Sequence, residues 1–227
     1  MQDMYSAAFY PFEALEERWG YWAKHIYHNR YQPDGLPLYR DLFDLVKDKD
    51  YFVITTNVDG QFMKTGFAPE RFFEVQGNYG EWQCSVPCRQ KVFDNEGAVM
   101  EMLKEIKDLK IPTDLIPYCP HCGAPMTMYL RVDQDFVQDE TWEESYEAYQ
   151  RFLEGIEDQK VVFLELGVGY NTPTIIRYPF EKMTAVFPKA HLIRLNRDDL
   201  EGFAATKEKT ISINDDMREV LQQWLAD

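Results

Sequence analysis

Four cysteines, grouped as two close pairs, constrain the fold of this chain more than any other feature of its sequence. Cys84 and Cys88 are separated by three residues, and Cys119 and Cys122 are separated by two. Each pair can bind one metal ion from a tight turn, and two pairs complete the tetrahedron of thiolates that is typical of structural zinc sites. Four thiolates leave no position for water, so we predict a zinc ion that stabilises the fold without catalysing. The alternatives are four unrelated buried cysteines, or a site in which His121 replaces a thiolate.

Composition predicts the compartment and excludes several classes of partner. The chain has 227 residues, a formal net charge of -15 and 45% hydrophobic residues. An acidic surface repels phosphate backbones and anionic lipid, so we expect no nucleic-acid partner and no membrane partner. No apolar run approaches the ~20 residues of a membrane helix, and the start of the chain does not resemble a signal peptide. These features predict a cytoplasmic protein whose thiols stay reduced.

Hydrophobic patterns on both sides of the cysteine region predict alternating strands and helices. Residues 1–50 are mostly helical by pattern. The predicted strands cover residues 51–55, 72–76, 160–166, 190–195 and 210–213. Strands that alternate with helices predict a mostly parallel, Rossmann-like α/β sheet. We therefore predict an α/β domain made of residues 1–76 and 132–227, with a small zinc-binding module inserted at residues 77–131.

Polar residues and glycines collect where the predicted strands end. They are Asn57, Asp59, Gln76, Gly167, Gly169 and Asn196. Ligands of parallel sheets bind beyond the carboxyl ends of the strands, so these positions predict a ligand site. Helix capping is the alternative for Asn57 and Asp59, and a plain turn is the alternative for the glycines.

The order of these motifs resembles that of sirtuins. TTNVDG at 55–60 is similar to the family's Gln-Asn-Ile-Asp-Gly signature, and VQG at 75–77 lies where sirtuins carry His-Gly. The two cysteine pairs follow at the family's distance. LGVG at 166–169 resembles the Gly-Thr-Ser turn, and LNRD at 195–198 resembles the Ile-Asn-Arg strand end. The resemblance covers roughly residues 50–215 and implies an NAD-binding, Rossmann-like domain.

Three longer segments resemble one branch of the sirtuins, the macrodomain-linked bacterial branch known as class M. The segments are TTNVDGQF, QGNYGEWQC and YLRVDQDFV. This resemblance implies an NAD-dependent protein ADP-ribosyltransferase with structural zinc and with NAD+ as co-substrate. It also implies a lipoylated carrier related to the glycine-cleavage H protein as target, and a macrodomain protein as a further partner.

The resemblance assigns roles to individual residues. It implies NAD contacts for Asn57, Asp59, Gly167, Val168, Gly169, Asn196 and Arg197. It implies catalytic roles for Asn57 at the ribose, for Gln76, and for Arg131 at the diphosphate or the acceptor. Gln76 replaces the histidine that acts as general base in deacylases, and an amide cannot take up that proton. We therefore expect ADP-ribosyl transfer without efficient deacylation. A plain strand end is the alternative for Gln76, and a surface salt bridge is the alternative for Arg131.

The start of the chain departs from the family pattern. No glycine precedes Gly20, and the Gly-Ala-Gly-x-Ser loop, whose N–H groups hold the NAD diphosphate, is missing. We expect an N-terminally incomplete chain with weakened NAD binding and impaired activity. Two other functions stay open at this point. One is an NAD-dependent deacylase with a different base, and the other is a non-catalytic, zinc-stabilised binding protein.

Overall fold

The computed structural model describes residues 10–226 of the chain. The helices are α1 (Leu15–Ile26), α2 (Pro37–Val46), α3 (Gln61–Lys64), α4 (Glu96–Glu105), α5 (Glu140–Ile156), α6 (Arg177–Val186) and α7 (Met217–Ala226). The strands are β1 (Val53–Thr55), β2 (Phe72–Glu74), β3 (Gly77–Cys84), β4 (Val92–Asp94), β5 (Met126–Leu130), β6 (Val161–Leu166), β7 (Ala190–Leu195) and β8 (Thr210–Ile213). Within the described range, every helix is too short or too polar to cross a bilayer.

Residue contacts divide the described chain into two compact units. The first unit combines residues 10–34, 57–64 and 76–143. The second unit combines residues 35–56, 65–75 and 144–226. The segment 77–131, which we predicted as the zinc module, lies wholly within the first unit, together with α1. The domain boundaries drawn from the sequence remain a prediction.

An antiparallel sheet and the helices α1, α3 and α4 form the first unit. β3 is the central strand and pairs with β4 and β5. The inner face of α1 carries Trp19, Trp22 and Ile26 at helical spacing, and all three are buried. The rings of Trp19 and Trp82 lie 4.8 Å apart between centroids. The same apolar cluster continues to Cys84, so the core of this unit supports the cysteine region directly.

Parallel strands form the framework of the second unit. β1 pairs with β2, and β6, β7 and β8 pair in that order. Phe163, Phe180 and Leu192 bury the contact between α6 and the three-stranded sheet. The α/β class with parallel strands is therefore confirmed. The described strands form two separate parallel ladders, whereas the sequence predicted one mostly parallel sheet.

Candidate functional site

The four cysteines meet at one end of the antiparallel sheet. Their sulfur atoms all lie within 4.8 Å of one another. The Sγ atoms of Cys84 and Cys122 are 3.5 Å apart, and those of Cys88 and Cys119 are 3.6 Å apart. Zinc–sulfur bonds of about 2.3 Å give a tetrahedron with edges of about 3.8 Å, so the spacing fits one zinc ion. The predicted grouping is confirmed, and this set of donors is compatible with a structural zinc.

The turn from Cys119 to Gly123 favours the ionised form of the Cys119 sulfur. Gly123 takes the left-handed conformation that suits glycine, with φ at +75°, and its N–H donates to the carbonyl of Cys119 at 2.9 Å. The N–H groups of His121 and Cys122 lower the pKa of the Cys119 thiol to about 6. Desolvation and the neighbouring thiols raise the pKa of Cys88 to about 12. Without a cation, an ionised Cys119 disfavours ionisation of the thiols beside it. A bound cation would offset this repulsion and allow all four thiols to ionise.

The predicted catalytic residues of the first unit lie on neighbouring segments. The N–H of Arg131 donates to the carbonyl of Gln76 at 3.0 Å. The segment that carries Asn57 runs beside β3, which begins directly after Gln76, because the N–H of Tyr79 in β3 donates to the carbonyl of Val58 at 2.9 Å. Asn57 is exposed, and Gln76 is half-buried. The first unit thus brings the three predicted catalytic residues onto one part of its surface.

Gly77, the residue after Gln76, permits the close approach of its backbone to that of Tyr129. Its φ is +76°, and a Cβ at this position would lie 2.2 Å from the carbonyl oxygen of Tyr129. Gly77→Ala should therefore strain the backbone beside Gln76 and lower the free energy of unfolding by about 2 kcal/mol or more. We expect a fall in Tm of roughly 5 °C in a thermal melt. Gly97→Ala is the matched control, because a Cβ there meets no atom within 4 Å. Equal melting temperatures for the two variants would contradict this account.

Aromatic rings hold the side chain of Arg131. Its Cζ lies 4.8 Å from the ring centroid of Phe136 and 5.4 Å from that of Trp142. Phe136 stacks in turn on Tyr129, with centroids 4.8 Å apart. Cation–π contacts of this kind orient a guanidinium and leave its N–H groups available for an anionic oxygen. Among residues 10–226, no acidic side chain forms an ion pair with Arg131, so the salt-bridge alternative is not supported.

Asp59 lies close to a cation that the sequence analysis missed. Its Oδ1 accepts the N–H of Gln61 at 3.3 Å, so Asp59 does cap α3. The guanidinium of Arg30 fills the space beside Gly60 and Gly80, where a Cβ would lie 2.3 Å and 2.4 Å from its nearest atoms. Burial raises the pKa of the Asp59 carboxyl, and the charge of Arg30 opposes that rise. The two glycines were the available sequence signal, because each one makes room for the guanidinium.

His25 is a second residue that the sequence analysis left out of the site. It is buried, with Nδ1 at 3.2 Å from the hydroxyl of Tyr21 and Nε2 at 3.1 Å from the hydroxyl of Tyr79. Burial lowers the pKa of its imidazole. Tyr79 lies three residues after Gln76, so His25 reaches the strand next to the site. Because hydroxyl groups engage both ring nitrogens, His25 is poorly placed to replace the missing base.

In the second unit, the turn after β6 meets the end of β7. The N–H of Gly167 donates to the carbonyl of Leu195 at 2.9 Å, and the amide of Asn196 donates to the carbonyl of Val168 at 3.0 Å. Gly167 has a positive φ of 65°, which favours glycine in this turn. Three predicted NAD residues therefore lie together at the carboxyl ends of adjacent parallel strands, where such sheets bind nucleotides.

The side chain of Asn196 shapes the loop that follows it. Its Oδ1 accepts the N–H groups of Asp198 and Asp199, both at 3.0 Å. A Cβ on Gly169 would lie 2.9 Å from Oδ2 of Asp199, so glycine allows the turn and this loop to pack closely. Arg197 is exposed. Most of the hydrogen-bonding capacity of Asn196 is thus used inside the protein, and the backbone of these loops is what remains for a ligand.

Solved sirtuins share the fold. One sirtuin structure aligns with 99% of this chain and 79% of its own length, with a TM-score of 0.59 and 19% identity. A Sir2 homologue in complex with NAD aligns with 93% of this chain and 71% of its own, with a TM-score of 0.57 and 14% identity. No family model matches the chain. At these identities the likeness establishes the fold alone.

Sequence similarity to a curated relative establishes the family. The chain is 33% identical over 217 residues to a protein ADP-ribosyltransferase of Staphylococcus aureus, across 95% of this chain and 69% of that protein. The chain belongs to the sirtuin-like protein ADP-ribosyltransferases. It is also 32% identical over 194 residues to a probable bifunctional ADP-ribose hydrolase/ADP-ribosyltransferase of Fusarium oxysporum. That match covers 81% of this sirtuin-like chain and 32% of the bifunctional relative.

The family predicted from the sequence is thereby confirmed. The narrower resemblance to the macrodomain-linked bacterial branch stays a prediction, as do the individual site residues.

Proposed function

We propose that this protein transfers ADP-ribose from NAD to a side chain of a target protein. In that reaction the bond between ribose C1′ and the nicotinamide nitrogen breaks, and its electron pair leaves with neutral nicotinamide. The target's nucleophile forms the new bond to C1′ and releases its proton to solvent. These changes need orientation and electrostatic support at the ribose more than a strong base.

Gln76 is the observation that carries the proposal. It stands where a deacylase needs a histidine, and its backbone is fixed by Arg131. A neutral amide can hold a ribose hydroxyl by hydrogen bonding, and it cannot act as general base near neutral pH. His25 does not supply the base, because two tyrosine hydroxyls engage its ring. We assign Asn57 to the ribose, Gln76 to its hydroxyls and Arg131 to the diphosphate or the acceptor.

NAD contacts are proposed for each unit separately. Asp59 in the first unit would contact the nicotinamide ribose. In the second unit the contacts would come from Gly167, Val168, Gly169, Asn196 and Arg197. The hydrogen bonds from Gly167 to Leu195 and from Asn196 to Val168 support this proposal, since they fix the backbone of the turn. The NAD complex of a Sir2 homologue with the same fold also supports it.

The metal site is proposed to be structural. The four sulfurs of Cys84, Cys88, Cys119 and Cys122 offer a complete tetrahedral set for zinc. They use all the coordination positions, so zinc would stabilise the first unit and would not activate water. A site made of four free cysteines suits a compartment that keeps thiols reduced, which supports the proposed cytoplasmic location.

We propose a lipoylated H-like carrier as the target and a macrodomain protein as a partner. The resemblance to the macrodomain-linked branch supports both proposals. The bifunctional relative combines an ADP-ribose hydrolase with a transferase, which suits a modification that is removed again.

Mass spectrometry of candidate targets tests the function. We expect the wild-type protein with NAD to add one ADP-ribose to the lipoylated carrier and to leave an acetyl-lysine peptide unchanged. The carrier without lipoate is the control for target choice, and Asn57→Ala should reduce transfer about a hundredfold or more. Loss of the acyl group from the peptide would instead indicate a deacylase. Absence of NAD binding in calorimetry would indicate a binding protein.

A further inference from the structure

A buried cluster of four charged side chains adjoins the loops after β6 and β7. Its members are Glu165, Arg177, Glu181 and Arg194, each at most 1% exposed. Arg194 donates to Glu165 at 2.6 Å and to Glu181 at 2.7 Å. Burial favours a lower pKa for Arg194, but its hydrogen bonds to the two carboxylates outweigh burial and raise the pKa. Two positive and two negative charges balance, which is what allows ions to stay buried.

Arg177 differs from the rest of the cluster because it also binds both loops. Its Nη1 donates to the carbonyl of Val168 at 2.8 Å and to Glu165 at 3.3 Å. Its Nη2 donates to the carbonyl of Asp199 at 3.1 Å and also contacts the carbonyl of Glu201. One planar guanidinium therefore connects the turn after β6 to the loop after β7.

Tyr170 reinforces this connection at the surface. Its ring centroid lies 4.2 Å from Cζ of Arg177, and its hydroxyl accepts a hydrogen bond from Nη2 at 3.2 Å. The same hydroxyl donates to the carbonyl of Glu201 at 3.2 Å. Tyr170 is 48% exposed, so its hydroxyl can be removed without opening the core.

We propose that Arg177 is a positioning residue for the NAD site, which orders the 167–170 turn and the 198–201 loop before NAD binds. This inference rests on the proposed function, since the 167–170 turn carries the proposed NAD residues Gly167, Val168 and Gly169, and the 198–201 loop directly follows Asn196 and Arg197. Loops ordered in advance do not lose that conformational freedom on binding, so affinity rises. Arg177 touches no reacting group and should affect the KM for NAD more than kcat. A lysine would keep the charge but not the fork that binds two loops at once.

Arg177→Lys and Tyr170→Phe test this role in the full chain, with Thr206→Val as matched control. Thr206 is buried and donates to Glu181 at 2.6 Å, but it contacts neither loop. We expect Arg177→Lys to raise the KM for NAD about tenfold with kcat within about twofold of wild type, and Tyr170→Phe to raise it about threefold. Hydrogen–deuterium exchange should accelerate in the 167–170 turn and the 198–201 loop of both variants. Thr206→Val should lower the Tm and leave the KM and the exchange of these loops unchanged.

Unchanged exchange and unchanged KM in folded Arg177→Lys would overturn the inference. The inference would also be overturned if Thr206→Val raised the KM for NAD as much as Arg177→Lys does, at an equal loss of Tm. If Arg177→Lys does not fold, Tyr170→Phe decides by the same two measurements. A wild-type protein that binds NAD but modifies no protein refutes the proposed transfer alone, and the Kd for NAD then replaces KM. A wild-type protein that does not bind millimolar NAD overturns the inference as well.

Discussion

Replacing Cys119 by serine should yield a protein without zinc and without a folded first unit. The binding free energy of structural zinc is roughly 10–16 kcal/mol in small zinc domains. This is comparable to the free energy of unfolding of a whole domain, which is about 5–15 kcal/mol. Cys119 is buried in the same apolar cluster as Trp19 and Trp82, so the loss should spread into that core. We expect insoluble protein, or no cooperative melt by circular dichroism, and less than one tenth of the wild-type zinc by elemental analysis.

His121→Ala is the matched control for the cysteine substitution. His121 lies between Cys119 and Cys122 in the same turn and is exposed, but it is not part of the four-sulfur cluster. This variant should keep one zinc per chain and melt within about 2 °C of wild type. Well-folded wild-type protein that contains no zinc would refute the metal site. Loss of zinc in His121→Ala would restore the histidine as a ligand.

Replacing Gln76 by alanine should nearly abolish ADP-ribosyl transfer. The amide is the only proposed group for the ribose hydroxyls, and loss of an orienting group of this kind lowers kcat on the order of a hundredfold. The melting temperature should change little, since Gln76 contributes its backbone to the contact with Arg131. Gln76→His should gain measurable deacylation of an acetyl-lysine peptide, because an imidazole can accept the ribose proton near neutral pH.

Gln83→Ala controls for the loss of an amide from β3, the strand that begins one residue after Gln76. Gln83 is buried, donates to the carbonyl of Asp135 at 2.7 Å and accepts the N–H of Val137 at 3.0 Å. Its loss should cost stability, about 1–3 kcal/mol, and leave transfer by the folded protein unchanged. Efficient deacetylation by the wild-type protein would contradict our interpretation of Gln76, whatever the variants do.

Local sequence patterns predicted what depends on short stretches of chain. The spacing of Cys119 and Cys122 indicated a metal turn, because two ligands three positions apart can only reach one ion from a tight bend. The position of Gln76 at a strand end indicated a ligand site, because parallel strands gather their carboxyl ends at one edge. Both the cysteine cluster and the α/β class followed from such patterns.

Contacts between distant segments were beyond the sequence. The placement of the Arg30 guanidinium requires Gly60 and Gly80, which lie 30 and 50 positions further along the chain. The hydrogen bond from Arg177 to the carbonyl of Asp199 spans 22 positions. A single arginine in an amphipathic segment is more often a solvated surface residue, so nothing local distinguishes these two. His25 needs Tyr79, which lies 54 residues away. The separation of the parallel strands into two ladders was missed for the same reason, since strand pairing is not encoded in any one strand.

The path of the chain through the two units has a consequence for how the protein must be made. Successive segments end near residues 34, 56, 64, 75 and 143, so the chain passes from one unit to the other five times. On the ribosome, the first unit cannot close before residues near 143 emerge, and the second cannot close before α7 emerges. Segments that are synthesised early therefore keep apolar surface exposed until the later segments emerge. This exposure favours aggregation and creates a need for chaperones. We expect that neither fragment will fold independently when the chain is cut near residue 56, 64 or 75, because each of these cuts divides both units.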